Sequence, residues 1–256
     1  MDGFRYRYDV HNVFEDFLTL TMCAVTRNPA SGKSHYEDLY MDTIAKYAKD
    51  EIRHDFPKMF TALVEEMEER VGGDTGNDVL GEYYELHLAK KGKSQFFTPW
   101  PICEFMSKSS IEAVERTDGK PLRILEPACG SGRMLLSVAK HAGPHNEFYA
   151  VDLDHTCVKM TAINLFLNGV FNSEVMCADF LFPDNFQISY VISFLPIGIF
   201  RIEEKENSRL WNIMQNTLEA NRKEASEKKK KPFADIKLPS ESGGVQNGNA
   251  SQLQLF

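Results

Sequence analysis

The sequence lacks long apolar runs, an excess of positive charge and any regular spacing of cysteines. No stretch reaches the roughly 20 apolar residues that a membrane-spanning helix needs, and the N-terminus has no signal-peptide core. The five cysteines are an odd set without metal-ligand spacing, which predicts reduced thiols in a cytoplasmic protein and no metal site. The net charge of −8 argues against strong binding to nucleic acid by this chain alone.

The composition is that of a globular protein with a substantial core. The 256 residues are 43% hydrophobic and 26% charged. Apolar residues at helical spacing recur through the first 92 residues, strand-like and helical runs alternate after them, and Gly, Ser and Asn dominate residues 240–251. We therefore expect a helical N-terminal domain over residues 1–92, an α/β domain over 93–238 and a flexible tail over 239–256.

One segment has the pattern of a ligand-binding loop. Ile124 to Arg133 reads Ile-Leu-Glu-Pro-Ala-Cys-Gly-Ser-Gly-Arg, and a helical run follows from Met134. Pro127 ends the strand-like part, and Gly130 and Gly132 allow a tight turn that approaches a ligand closely. The helix that follows offers unpaired N–H groups at its start. Glu126, at the end of the strand, adds a carboxylate that can attract an ammonium group.

The details of this loop argue against two common nucleotide ligands. The dinucleotide fingerprint needs a third glycine where this chain has Leu135, and a phosphate-binding P-loop needs a lysine where it has Arg133. The next strand-like run ends in Asp152, about 20 residues after Gly132, where an acid can hold both ribose hydroxyls. These features suit S-adenosylmethionine, whose amino-acid end is cationic and which carries no phosphate.

The segment resembles the cofactor-binding half of adenine-N6 DNA methyltransferases, particularly the modification subunits of type I restriction systems. Lys93 to Pro101 is similar to the family's Gly-Gln-Phe-Tyr/Phe-Thr-Pro element, with Ser94 in place of the glycine, and residues 79–85 and 162–169 also match. The resemblance implies a cofactor site at Gln95, Phe96, Phe97, Thr98, Pro99, Glu126, Ala128, Cys129, Gly130, Gly132, Asp152, Asp179 and Phe180.

The resemblance also implies roles for these residues. An aromatic face of the Phe96–Phe97 pair packs on the methionine end of the cofactor, and Thr98 binds its carboxylate. Asp179, after the third strand, reaches the amine of the cofactor adenine, and Phe180 lies against the ring. The fold implied is a Rossmann-like, mainly parallel sheet, preceded by a helical segment and truncated after its fourth strand.

The catalytic motif of the family is degenerate. Asn-Pro-Pro-Phe/Tyr is expected at the end of the fourth strand, where the asparagine orients the target amine and the aromatic stacks on the flipped base. The aligned text is Phe194-Leu195-Pro196-Ile197, so Pro196 is the only catalytic candidate. Phe194 has no amide oxygen and Ile197 has no aromatic face, which predicts the loss of most substrate positioning. An exposed fourth strand would also invite pairing with another chain in an oligomer.

The last five residues are abruptly hydrophobic after the polar tail. Gln252-Leu253-Gln254-Leu255-Phe256 resembles the peptide by which bacterial replication and repair proteins bind the sliding clamp. In that interpretation Gln252 bonds at the rim of an apolar pocket, and Leu253, Leu255 and Phe256 are the other contact residues. The alternative is that the apolar end docks on its own domain.

Three functions fit these patterns. The first is an S-adenosylmethionine-dependent DNA adenine-N6 methyltransferase of a restriction-modification or mobile-element type, whose activity is lost or depends on a partner, including a specificity partner for DNA. The second is an inactive cofactor-binding pseudoenzyme that acts as an interaction protein at the sliding clamp. The third is a methyltransferase for another acceptor, because a cofactor site does not specify the substrate.

Overall fold

The computed structural model describes residues 7–26, 35–49, 51–70, 77–89, 96–114, 120–182, 184–230 and 254–255. The expected domain boundary at 92/93 lies outside these residues. Among the described residues, no helix is both apolar and long enough to cross a membrane.

Among the described residues, five α-helices precede the first strand. They are α1 (Val10–Val25), α2 (Glu37–Ala45), α3 (Asp55–Arg70), α4 (Val79–His87) and α5 (Trp100–Glu112), with a 3₁₀ turn at Glu51–His54. Asp9 begins α1 by accepting hydrogen bonds from the backbone N–H groups of His11 and Asn12. Phe14 and Leu18 of α1 belong to the same buried cluster as Leu135 and Ile163. The N-terminal helices and the rest of the chain therefore share one core.

The second part alternates strands and helices. It contains β1 (Arg123–Glu126), α6 (Arg133–Ala142), β2 (Glu147–Asp152), α7 (His155–Leu167) and β3 (Ser173–Cys177), then β4 (Ile188–Phe194), β5 (Ile197–Ile202), a 3₁₀ turn at Lys205–Asn207, α8 (Arg209–Lys230) and β6 (Gln254–Leu255). The β1-α6-β2-α7-β3 unit has parallel neighbouring strands joined by helices, with spatial order β3-β2-β1. This unit confirms the predicted Rossmann-like α/β fold.

The other half of the sheet differs from the prediction. The strand order is β5-β4-β3-β2-β1-β6, and β4 pairs antiparallel with both β3 and β5. The sheet is therefore mixed, and the predicted truncation after the fourth strand is wrong. The reason is the two-residue turn Leu195–Pro196, which reverses the chain so that Phe194 pairs with Ile197.

The predicted exposed edge at β4 is also wrong, since β5 covers it. The outer edge of β5 is itself occupied by side chains: the Thr26 hydroxyl accepts from the Ile199 N–H at 2.8 Å, and the Tyr36 hydroxyl accepts from the Arg201 N–H at 2.7 Å. These bonds satisfy donors that another strand would use. Pairing of this edge with another chain therefore has no support from the structure.

Helix α8 covers the opposite face of the sheet from α6 and α7. Leu210 and Met214 pack in a buried cluster with Leu125, Tyr149 and Met176. The helix begins at the buried Glu174 of β3, which accepts hydrogen bonds from the Ser208 hydroxyl and the Leu210 N–H. A carboxylate at this end complements the helix dipole, so Glu174 fixes α8 on the sheet.

Candidate cofactor site

The site is formed at the carboxyl ends of β1, β2 and β3, as expected for this topology. The glycine loop, residues 127–132, joins β1 to α6, and Gly130 and Gly132 have φ angles of 55° and 85°. A Cβ on Gly130 would lie 2.8 Å from Cδ1 of Phe97, and one on Gly132 would lie 2.9 Å from Cγ2 of Thr161. Both positions therefore need glycine for conformation and for space.

Glu126 lies at the mouth of this loop and has an unpaired atom. Its Oε2 is buried and finds no hydrogen-bond partner among the described residues. Burial, reinforced by the nearby charge of Asp152, raises the pKa of Glu126 to about 7. A buried acceptor without a donor is costly, so this atom fits a ligand that brings a cation or an N–H group.

Asp152 is held by the loop that it faces. Its Oδ2 accepts from the Gly130 N–H and its Oδ1 accepts from the Asp154 N–H, both at 2.9 Å. Burial raises the pKa of Asp152 above its ordinary value, and these two backbone bonds oppose the shift. Each carboxylate oxygen retains a lone pair, so Asp152 can both order the glycine loop and accept ligand hydroxyls.

The segment before α5 places its two phenylalanines differently. The Phe97 ring is buried against Gly130, and its N–H donates to Oε1 of Glu85 at 3.1 Å. Phe96 is 90% exposed. Thr98 directs its carbonyl oxygen to Arg133, and Pro99 precedes the first turn of α5. Gln95 lies outside the described residues. The structure thus brings Phe97, rather than Phe96, to the loop.

A buried ion-pair network that the sequence patterns did not predict supports the loop from behind. Asp78 is 1% exposed, and its Oδ2 pairs with Nε of Arg133 at 2.8 Å. Arg133 also bonds Glu85 at 3.0 Å, while Ser131 and Asn164 donate to Asp78 at 2.5 and 2.7 Å. Arg133 is the residue in the sequence that could have indicated this network. Its long cationic side chain follows Gly132 directly, although the loop does not have the phosphate-binding pattern.

The remaining predicted cofactor residues lie close to these elements. The Cys129 N–H donates to the carbonyl of Val151, which ties the loop to β2, and Ala128 precedes it in the loop. Asp179 follows β3 and accepts from the Leu181 N–H at 2.9 Å, with the half-buried Phe180 next to it. All five cysteines are buried thiols. No cluster of potential metal ligands occurs among the described residues.

The catalytic candidate lies elsewhere. Because β4 runs antiparallel to β3, Ile188 is beside the cofactor end of the sheet, and Phe194 is beside the start of β3. Six residue steps of about 3.3 Å put the Phe194–Ile197 turn roughly 20 Å from the cofactor end. The Phe194 ring instead contacts Phe171, with centroids 5.3 Å apart. A catalytic role for Pro196, and the alignment of this turn with the family motif, do not fit this geometry.

Only part of the C-terminal peptide lies in the described residues. Gln254 and Leu255 pair in parallel with Ile124 and Leu125 of β1. Gln252, Leu253 and Phe256 lie outside the described residues. The backbone of these two residues thus lies beside β1, the strand that carries Glu126. For Gln254 and Leu255, this position corresponds to the alternative in which the apolar end docks on its own domain.

The part of the chain that carries this site is similar to known proteins. The family model described as N-6 DNA Methylase matches residues 75–228. The type I restriction enzyme MpnII methylase subunit of Mycoplasma pneumoniae is 25% identical over 194 residues, which cover 71% of this chain and 35% of that protein. This chain therefore spans about a third of the length of that relative.

Two solved structures are also similar. One is the type I restriction-modification methyltransferase subunit of Streptococcus thermophilus, with 18% identity, a TM-score of 0.33 and coverage of 68% of this chain and 55% of that one. The other, from Listeria monocytogenes, is assigned to the class I S-adenosylmethionine-dependent methyltransferases, with 16% identity, a TM-score of 0.34 and coverage of 61% and 42%. At these scores the fold assignment rests on the strand order described above.

Proposed function

This chain belongs to the N-6 DNA methylase family, and from that premise we propose that it binds S-adenosylmethionine at the glycine loop as part of a DNA adenine-N6 methyltransferase. The observation that carries the proposal is the unpaired, buried Oε2 of Glu126 beside Gly130. The ammonium group of the cofactor would supply the missing donor. Asp152 would accept its ribose hydroxyls, and Asp179 its adenine amine.

The bound cofactor would supply an electrophilic methyl group on a sulfonium. The residues of this chain would orient it: Phe97 closes the loop over the methionine end, and Glu126 fixes the amino group. Leu153, Leu181 and Phe182, exposed after β2 and β3, would provide apolar surface beside the adenine. Because binding energy fixes orientation, these contacts would contribute to rate by positioning the methyl group.

Target binding would depend on groups beyond this site. The chain contains no Asn-Pro-Pro-Phe/Tyr sequence, and its net charge is −8. DNA recognition by a specificity partner would supply the positive field that this chain lacks. We propose that the chain is a cofactor-binding subunit whose methyl transfer to DNA requires such a partner.

The second candidate is an inactive cofactor-binding protein. The position of Pro196 at the far end of the sheet favours it, because no described residue at the cofactor end reproduces the family motif. The C-terminal peptide would give this protein a contact with the sliding clamp. For clamp binding, Gln254 and Leu255 would have to leave β1 or present their outer edge.

Calorimetric titration with S-adenosylmethionine, beside tritiated-methyl transfer to unmethylated bacterial DNA, tests the proposal. We expect binding with one site per chain, no transfer by the chain alone, and transfer when a specificity subunit is added. Binding without transfer under both conditions would favour the inactive cofactor-binding protein. Transfer to a protein or small molecule, and none to DNA, would favour the third function.

A further inference from the structure

A second cavity lies on the other side of helix α7 from the glycine loop. It has a volume of about 250 Å³ and is lined by residues of α1, the start of α2, α7, β4 and β5. His155 and Lys159 of α7 line it, whereas Thr161 and Asn164 contact the glycine loop. Lys159 and Thr161 are two residues apart, which is about 200° around a helix, so α7 separates the two sites.

The cavity has a basic side and an apolar side. Arg201, Lys159 and His155 form the basic side, and none of the described residues that line the cavity is acidic. The apolar side includes Met22 and Ile199, both buried. A lining of this kind matches a ligand with an anionic head and an apolar body.

The basic side retains hydrogen-bond donors. Arg201 pairs with the exposed Glu203 through Nη2 at 2.9 Å, but its buried Nε has no acceptor among the described residues. Lys159 contacts Glu15 at 2.7 Å and Thr19 at 3.1 Å, which leaves one of its three donors. A buried guanidinium N–H without an acceptor is costly and is satisfied by an anion that reaches it.

We propose that this cavity binds a small organic anion, with a phosphate or carboxylate on Arg201 and Lys159 and an apolar body against Met22 and Ile199. An apolar cavity of about 150 Å³ accommodates benzene, so a volume of about 250 Å³ has room for a single ring that carries a phosphate. The ligand would bridge α1, α7 and β5 and would thereby stabilise the N-terminal helices on the sheet. The proposal is independent of cofactor binding.

Phenyl phosphate, phenol and inorganic phosphate are the probes that test it, with amide NMR shifts followed in the presence of saturating S-adenosylmethionine. We expect saturable shifts around Tyr190 and Ile199 with phenyl phosphate, and affinity at least about tenfold weaker for phenol, since a charge-assisted bond is lost. Arg201→Gln should weaken phenyl phosphate by about tenfold or more. Arg123→Gln removes the same charge at the start of β1 and should have no effect.

Three results would overturn the proposal. They are equal affinity for phenol and phenyl phosphate, unchanged affinity in Arg201→Gln, and shifts confined to the glycine loop. If Arg201→Gln fails to fold, Leu39→Phe provides the test. Its larger side chain fills the cavity from α2, and Arg201 and Lys159 are unchanged. Loss of phenyl phosphate binding in folded Leu39→Phe supports the site, and unchanged binding refutes it.

Discussion

Replacing Glu126 with glutamine should change how stability depends on pH. The folded-state pKa of Glu126 is raised from 4.5 to about 7 by burial and by Asp152. A carboxyl whose pKa is raised by folding binds its proton more tightly in the folded state, so its contribution to stability grows as pH falls from 7 towards 4.5. Ionised above pH 7, it destabilises the fold by about 3 kcal/mol relative to the protonated form.

The expected size of the effect follows from these two pKa values. Between pH 8 and pH 5.5, the wild type should gain about 2 kcal/mol of unfolding free energy over Glu126→Gln, which cannot titrate. For a chain of this size that is a relative rise in Tm of roughly 4–8 °C. Using the difference between the two proteins removes the titrating groups that do not interact with Glu126, such as Asp78.

Urea unfolding of both proteins without cofactor, at pH 5.5 and pH 8, measures this difference. Glu112→Gln is the matched control, because it makes the same change on an exposed residue at the end of α5. Its difference from the wild type gives the effect of removing one exposed carboxylate. If the wild type and Glu126→Gln differ by the same amount at both pH values, Glu126 does not titrate near 7 and the account of its burial is wrong.

Three further predictions concern the loop support, the hairpin and the C-terminal peptide. Arg133→Met should destabilise the protein by about 3–5 kcal/mol in urea unfolding, because Asp78 stays buried without its cation. A loss of unfolding free energy below about 1 kcal/mol would mean that the ion pair is solvated. A variant with three changes, Phe194→Asn, Leu195→Pro and Ile197→Tyr, should transfer no methyl group to DNA, because this turn lies at the far end of the sheet from the glycine loop. Tritium incorporation into DNA would contradict the observed strand direction. Deletion of Gln252–Phe256 should abolish any association with the sliding clamp in surface plasmon resonance and leave affinity for S-adenosylmethionine unchanged; retained clamp binding would exclude the peptide.

The local parts of the site were predictable from the sequence. A strand followed by Glu126-Pro127, two glycines and a helix specifies its own turn, because proline ends the strand and glycine alone permits the observed φ angles. Asp152 follows from the next strand in the same way. These features depend on residues close together in the chain, so one sequence suffices to locate them.

The direction of β4 was predicted incorrectly, because the prediction followed the family resemblance. Leu195 and Pro196 join β4 to β5 in a two-residue turn, and this hairpin reverses the chain. Alignment with the family motif instead predicted a parallel strand that ends at the cofactor. An apolar run predicts that a strand forms, but not the direction in which it runs. The direction of β4 is set by its pairing with β3 and by the hydrogen bonds that β5 makes with Thr26 and Tyr36.

The support of the glycine loop was not predictable, because it depends on distant residues. Asp78 and Arg133 are separated by 55 positions, and their pairing exists only once α4 packs behind the loop. The distinction between Phe96 and Phe97 has the same origin, since Glu85 and Gly130 select the buried ring. Long-range packing thus decides which members of a local motif reach the site.

The dissociation constant of S-adenosylmethionine at pH 7.5 and pH 5.5 tests most directly whether Glu126 receives the cofactor. Binding of an ammonium group requires ionised Glu126, whose pKa is about 7, so affinity of the wild type should be about 25-fold weaker at pH 5.5 than at pH 7.5. Glu126→Gln should bind weakly at both pH values. Equal wild-type affinity at the two pH values, or wild-type affinity in Glu126→Gln, would contradict the proposed site.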